Sequence, residues 1–287
     1  MNTRTTAIGM LCILLTLIAS CSVSAQDYKV DWNSVNSGGG AMSGGGYKIT
    51  GTVGQPAAGF SKNTSFLQWV EFWAGEVPTP TVAPTIGAAK LLADGTFTSV
   101  AGKIATSTEG DFSGFFYLED SSRSNGIRVA FPIGAVGGLV RGKSVVNVLG
   151  NMVSTSAGER QIAASVIVIT STNPLAIRSL GMNNRDLGGG DLGIPPLGQY
   201  GVKDGFGLNN IGLLVTTWGR VSYVDGVYMI ISDGSNSGVR VSTAQLAIPL
   251  PEQNDYIRVI GISRLYMSGS PPVRVPQVLP RTDSDVN

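Results

Sequence analysis

The chain has 287 residues, with 20 Lys+Arg against 19 Asp+Glu, no histidine and two cysteines. Without histidine it lacks the commonest general base, the commonest nitrogen ligand for zinc, and any Ser-His or Cys-His nucleophile pair. Its balanced and sparse charge, 14% of residues, lacks the cationic excess that phosphate neutralisation asks of a dedicated nucleic-acid binder, and 39 glycines point to a turn-rich all-β protein.

Residues 1–25 read as an export signal. Arg4 supplies the positive start, and the run from Ala7 to Ala19 is apolar but too short for a permanent bilayer span. Two processing sites compete at its end. Val23-Ser24-Ala25 has the small residues a signal peptidase accepts. Ile18-Ala19-Ser20-Cys21 resembles the bacterial lipobox, in which Cys21 would be lipidated and would tether the protein to a membrane surface. Cys12 and Cys21 both lie in this segment, so the body beyond it has no disulfide and no thiol chemistry. Arg4 leaves with the signal, and 19 basic side chains then face 19 acidic ones.

Residues 26–75 form a glycine-rich block, in which Tyr47 to Val53 and Phe66 to Trp73 predict strands separated by glycine turns. The run Gly44 to Tyr47, Ile49, Gly51 to Pro56, then Phe72 to Gly75, resembles a GGGY…GT-V-GQP…FWAG pattern found near the start of exported bacterial proteins. That pattern implies a small β module and no known activity. Residues 76–88, "EVPTPTVAPTIGA", predict an extended Pro-Thr linker.

Two segments then repeat each other. Gly102-Lys103-Ile104 matches Gly219-Arg220-Val221, Leu118-Glu119-Asp120 matches Ile231-Ser232-Asp233, and Gly126-Ile127-Arg128-Val129 matches Gly238-Val239-Arg240-Val241. Val146 to Gly150 likewise matches Ile257 to Gly261. The period is too long for a solenoid, so each copy is expected to be a domain, at 89–169 and 208–287. Each holds five short strands with alternating apolar positions, which favours a closed barrel. Residues 170–207 contain Gly-Gly-Gly and Pro-Pro and predict a long connection, packed by Leu187, Leu192, Ile194 and Leu197.

These motifs together resemble the OB-fold of the tRNA-anticodon-binding type over both copies. The expected fold is therefore all-β: two small OB-like five-stranded barrels in tandem after a short glycine-rich β module. Strand alternation sets Phe116 and Leu118 inward, and Phe115 and Tyr117 outward beside Arg128; in the second copy Tyr228 and Arg240 take the outer positions. OB-folds hold oligonucleotides or oligosaccharides on strands two and three. Phe115, Tyr117, Arg128, Tyr228 and Arg240 are thus the candidate ligand-binding residues. The competing reading is a cross-strand Tyr-Arg pair, or a surface covered by the other barrel or by the long connection.

No catalytic residues, metal ligands or cofactors are expected. The carboxylates Glu119, Asp120, Glu159, Asp225 and Asp233 have no spacing that pairs them across a cleft, and each polar turn offers a single carboxylate where a calcium cage needs several oxygens. The expected function is an exported, non-catalytic binding module of the cell envelope or extracellular space. Its ligand would be a glycan or an envelope protein, with nucleic acid less favoured and a membrane reached only through the lipidated N-terminus. Two alternatives remain: a structural envelope component with buried barrel faces, and an extracellular single-stranded nucleic-acid binder. Nothing in the sequence sets the oligomeric state.

Overall fold

The computed structural model describes four strands between residues 38 and 70, and residues 79–287 apart from 133, 236 and 237. The export signal with Cys21, and the GQP and FWAG motifs, lie outside the described residues.

Within the glycine-rich block, β1 (Gly38–Gly44) pairs antiparallel with β2 (Tyr47–Val53), and β3 (Gly59–Asn63) pairs with β4 (Phe66–Val70). Strands at Tyr47–Val53 and Phe66–Val70 agree with the sequence pattern. Gly38–Gly44, which opens on three glycines, is itself a strand rather than a turn. Its backbone groups pair residue by residue from Gly38 with Val53 to Gly44 with Tyr47.

The remainder is two copies of one closed sheet. The strands of barrel 1 are β6 (Phe97–Ala105), β7 (Phe115–Glu119), β8 (Gly126–Ala130), β9 (Ser144–Ser154) and β10 (Arg160–Thr172). They run in the order β6-β7-β8-β10-β9, and β9 returns to β6 to close the sheet. Barrel 2 repeats the order with β14 (Leu214–Val224), β15 (Tyr228–Ser232), β16 (Val239–Ser242), β17 (Tyr256–Ser268) and β18 (Val273–Leu279). In both, every pairing within the barrel is antiparallel except β8 with β10 and its equivalent β16 with β18. This is the OB-like architecture expected, twice.

The repeat extends beyond what the sequence pattern shows. Thr81–Val82 (β5) runs parallel to β6 with Thr81 opposite Thr98; Leu180–Gly181 (β11) runs parallel to β14 with Leu180 opposite Val215, the position matching Thr98. A single helical turn follows each. In the first copy it is α1 (Ile86–Lys90), capped by Thr85, whose hydroxyl accepts from Ala88 N at 3.1 Å; in the second it is a 3-10 turn at Asn184–Asp186. Both turns are pinned by the same carboxylate of the repeat. Asp120 accepts from Ile86 N at 3.0 Å, and Asp233 accepts from Asn184 N at 2.9 Å. The end of the Pro-Thr segment is therefore part of barrel 1 rather than an extended linker. The second copy likewise begins inside the 170–207 connection. That connection also carries a hairpin, β12 (Leu192–Ile194) with β13 (Leu197–Gln199). Leu187 is buried as expected, whereas Ile194 and Leu197 face solvent.

Alternation fills each barrel. Phe116, Leu118, Ile127, Val129, Val146 and Val148 share one core with Ile86 and Ala89 from α1; Met229, Ile231, Val239, Val241, Ile257 and Val259 share the other with Leu187. Each such side chain contributes about 1.5–3 kcal/mol on burial. The glycine of the V-x-V-x-G motif has a steric cause. A Cβ on Gly150 would stand 2.2 Å from Ala163 O, and one on Gly261 would stand 2.6 Å from Leu279 O.

Candidate ligand-binding surface

The two barrels are packed into one joint, and the joint uses the outer face of barrel 1. Phe112 and Tyr117 form a third apolar cluster with Leu214, Ile262 and Leu279 of barrel 2, and Phe115 and Ile260 pack against it. Phe112 stacks on Phe115 at 5.1 Å, and Tyr117 meets both rings edge-on at 6.1 and 6.0 Å. Arg128, opposite Tyr117 in register, lays its guanidinium 3.7 Å from the centre of the Phe115 ring.

Polar groups lock the same joint. The Tyr117 hydroxyl donates to Glu159 Oε1 at 2.7 Å, and Arg264 of barrel 2 lies 3.6 Å from Glu159 Oε2. Burial, with the Glu159 charge beside it, pushes the Tyr117 phenol well above its ordinary range, so it stays a donor. Glu119 accepts from Leu214 N, and burial raises its carboxyl although Arg123 and that backbone N–H oppose the shift. Lys90 Nζ donates to Ile211 O at 2.8 Å, Arg274 Nε to Ala157 O at 3.0 Å, and Arg281 to Thr106 O at 2.9 Å. The backbones of the barrels touch at Gly126 and Gly212, where a Cβ on Gly126 would stand 2.1 Å from Gly212 O.

This changes the expectation for Phe115, Tyr117 and Arg128. They do point away from the core of their own barrel, but they do not form an open patch: Tyr117 is fully buried, with barrel 2 over it. Alternation identifies the face of a sheet and carries no information on what covers that face.

Among the described residues, the matching face of barrel 2 joins no apolar cluster with barrel 1. Arg240, opposite Ile230 in register, sits with its guanidinium carbon 3.4 Å from the centre of the Tyr228 ring and 4.0 Å from that of Tyr266. Tyr223 extends the ladder, its ring 5.1 Å from Tyr228 and tilted by 33°. Tyr223 and Tyr266 are 43% and 36% exposed. Asp225 accepts from Val227 N, Tyr228 N and the Tyr223 hydroxyl, at 2.7, 2.8 and 2.9 Å. The two backbone bonds hold its carboxyl below the usual range, and the bond it accepts pushes the Tyr223 phenol up to about 12. Among the described residues the Arg240 guanidinium forms no hydrogen bond or ion pair, and its Nε is buried without a partner. A cation clamped between two rings, with unused N–H donors at its edge, is prearranged for a ligand carrying oxygen acceptors and a flat face.

Tyr228 and Arg240 thus come together as expected. Tyr223 and Tyr266 were not expected. A bulge between Val221 and Tyr223 turns Tyr223 outward, and Tyr266 arrives from β17, the far side of the sheet from β15 in sequence. A periodicity count across β17 would have marked Tyr266 as outward, since Leu265 is buried. Its meeting with Arg240 follows from the strand order, which sets β18 between β16 and β17: Gln277 pairs with Arg240 on one side and with Arg264, two residues before Tyr266, on the other. Among the described residues there is no group of three or more acidic, His or Cys side chains placed to hold a metal, and no helix long and apolar enough to cross a membrane.

No protein-family model matches the chain, and no curated protein does. Among solved structures, a multidomain protein with nucleic-acid-binding domains from Streptococcus pneumoniae is similar over 63% of this chain, at 11% identity and a TM-score of 0.16. The matched region spans 45% of that protein. Neither fold nor ligand is inferred from a likeness of that size.

Proposed function

We propose that this protein is a non-catalytic binding module of the extracellular space or cell envelope, and that it engages a glycan through barrel 2. The observation that carries the reading is the asymmetry between the repeats: the aromatic–Arg face of barrel 1 is spent on the joint, while Tyr228, Arg240 and Tyr266 of barrel 2 stand free of it. Sugar rings offer an apolar C–H face to tyrosine and hydroxyl acceptors to a guanidinium edge. A single half-buried arginine between two rings, on a chain of balanced charge, suits this better than a phosphate backbone, which draws on several cations at once. The export reading rests on residues 1–25.

The test is binding of the purified protein to a panel of polysaccharides and to single-stranded DNA at low and moderate salt. Saturable glycan binding is expected, weakened about tenfold or more by Arg240→Ala or Tyr228→Ala, as one lost contact of ~1.4 kcal/mol would give. Binding to DNA alone, with a steep salt slope, would favour the nucleic-acid reading. Absence of both would favour the structural reading, which the burial of Tyr117 in the joint specifically supports.

A further inference from the structure

Barrel 2 carries a second aromatic surface, on β14 and β17, away from the strands that bear Tyr228 and Arg240. Trp218 lies opposite Arg258, and Arg220 opposite Tyr256, so aromatic and cationic side chains alternate across the two strands. Trp218 is 49% exposed and Tyr256 79%. Barrel closure does not require them: the positions in barrel 1 that correspond, next to Gly102 and Val146, hold Ala101 and Val145.

Trp218 is a shared wall of two hollows. One, of about 450 Å³, is lined by Arg220, Ser232, Asp233, Gln253, Asn254 and Tyr256. The other, of about 510 Å³, is lined by Met182, Asn183, Asp186, Phe206 and Leu208. Together they make a trough on either side of Trp218, with Phe206 lining one half and Tyr256 the other. The charged residues that line it carry both signs, Arg220 against Asp186 and Asp233, and each already has a polar or charged partner. Arg220 is held by Asn254 Oδ1, and Asp233 accepts from Asn184 N, Ser235 N and the Ser235 hydroxyl. Arg185 lies over the Phe206 ring at 4.7 Å. What the trough still offers is ring faces, amides and hydroxyls.

We infer that this trough is a second carbohydrate site, which takes a linear, uncharged polysaccharide with Trp218 as its central stacking platform. The ligand class rests on the glycan reading above, but the site does not depend on the Tyr228–Arg240 face. Rings at Tyr256 and Trp218 would carry successive sugars, with Phe206 and the Arg185 stacked on it bounding the far hollow, and Ser232, Gln253 and Asn254 meeting the sugar hydroxyls.

Tryptophan emission tests it, because Trp218 can be read by difference against the full-length Trp218→Phe protein. The probes are a neutral β-glucan, a xylan and a mannan, with alginate as the acidic control. At least one neutral polymer is expected to shift the emission saturably. The shift should vanish in Trp218→Phe, and affinity should fall about tenfold in Trp218→Ala. The Tyr228→Ala/Arg240→Ala protein should keep the Trp218 shift, which separates this site from the other face. The inference is overturned if no neutral polymer moves the emission, if alginate alone does, or if Trp218→Ala binds as tightly as the parent. Far-ultraviolet circular dichroism of each variant guards against misfolding, and Tyr256→Ala, at a more exposed position, gives a second readout expected to weaken binding severalfold.

Discussion

On barrel 1, the outer face of strands β7 and β8 carries Phe115, Tyr117 and Arg128 and lies against Leu214, Ile262 and Leu279 of barrel 2. On barrel 2, the equivalent face of β15 and β16 carries Tyr228 and Arg240, joined by Tyr266, and among the described residues it joins no apolar cluster with barrel 1. Both faces use one device, an arginine laid on an aromatic ring, and both leave the arginine Nε without a partner. In the first the device cements two domains; in the second it is available. Duplication of the barrel thus gives two copies of a surface, and docking of the copies covers one of them.

The comparison breaks most sharply at the backbone contact between barrels. Gly126→Ala would set a methyl group 2.1 Å from Gly212 O, with backbone rather than a flexible side chain in the way. A loss of about 1–3 kcal/mol or more is expected from such overpacking, read as a lower denaturation midpoint, with early protease cuts between the barrels. An unchanged midpoint would mean the joint is looser than described.

Lys90, buried beside the joint, gives a pH signature. Burial lowers its ammonium from 10.5 to about 7, although Glu159 and Asp120 oppose that shift and Arg160 adds to it. Between those two values the unfolded chain holds a proton that the folded chain lacks, so stability rises with pH across the window. The penalty is present in full below about 7 and is gone above 10.5. The expected rise is on the order of a few kcal/mol. Denaturant titrations from pH 7 to 9.5 measure it below the range in which the Tyr117 phenol matters, and Lys90→Met should flatten the slope.

Tyr117→Phe removes the donor to Glu159 and leaves a buried carboxylate short of a partner, at a cost of about 1–3 kcal/mol. The smallest effect comes from the matched pair of arginines. Arg128→Ala should cost up to about 2 kcal/mol of stability, because its cation–π contact lies in the joint, while Arg240→Ala should cost about 1 kcal/mol or less and act on ligand binding instead. Equal stability costs would erase the distinction between the two faces.

Much of the architecture is legible in the sequence. The matched runs around Gly102 and Gly219, Asp120 and Asp233, and Gly150 and Gly261 mark two barrels, and alternation places Phe116 inward and Tyr117 outward without error. What escapes is short or relational. Two-residue strands at Thr81 and Leu180 have no period to detect, and the hairpin at Leu192–Gln199 interrupts the second copy where its start would otherwise align with the first. The helix at Ile86–Lys90 is a single turn whose start is fixed by Asp120, 34 residues away. The joint escapes for a different reason. Leu214, Ile262 and Leu279 differ from their barrel 1 counterparts, which include Asn151 opposite Phe97, yet their meaning depends on the surface they meet.

Hydroxyl-radical footprinting of the intact protein, read by peptide mass spectrometry, tests the asymmetry most directly because it reports side-chain access on both faces at once. Tyr266, Tyr223 and Tyr228 are expected to be oxidised readily and to be protected when glycan is added, with Tyr117 and Phe112 silent until the protein unfolds. Oxidation of Tyr117 at a rate like that of Tyr266 in the folded protein would contradict that asymmetry, because the face of barrel 1 would then be as open as that of barrel 2.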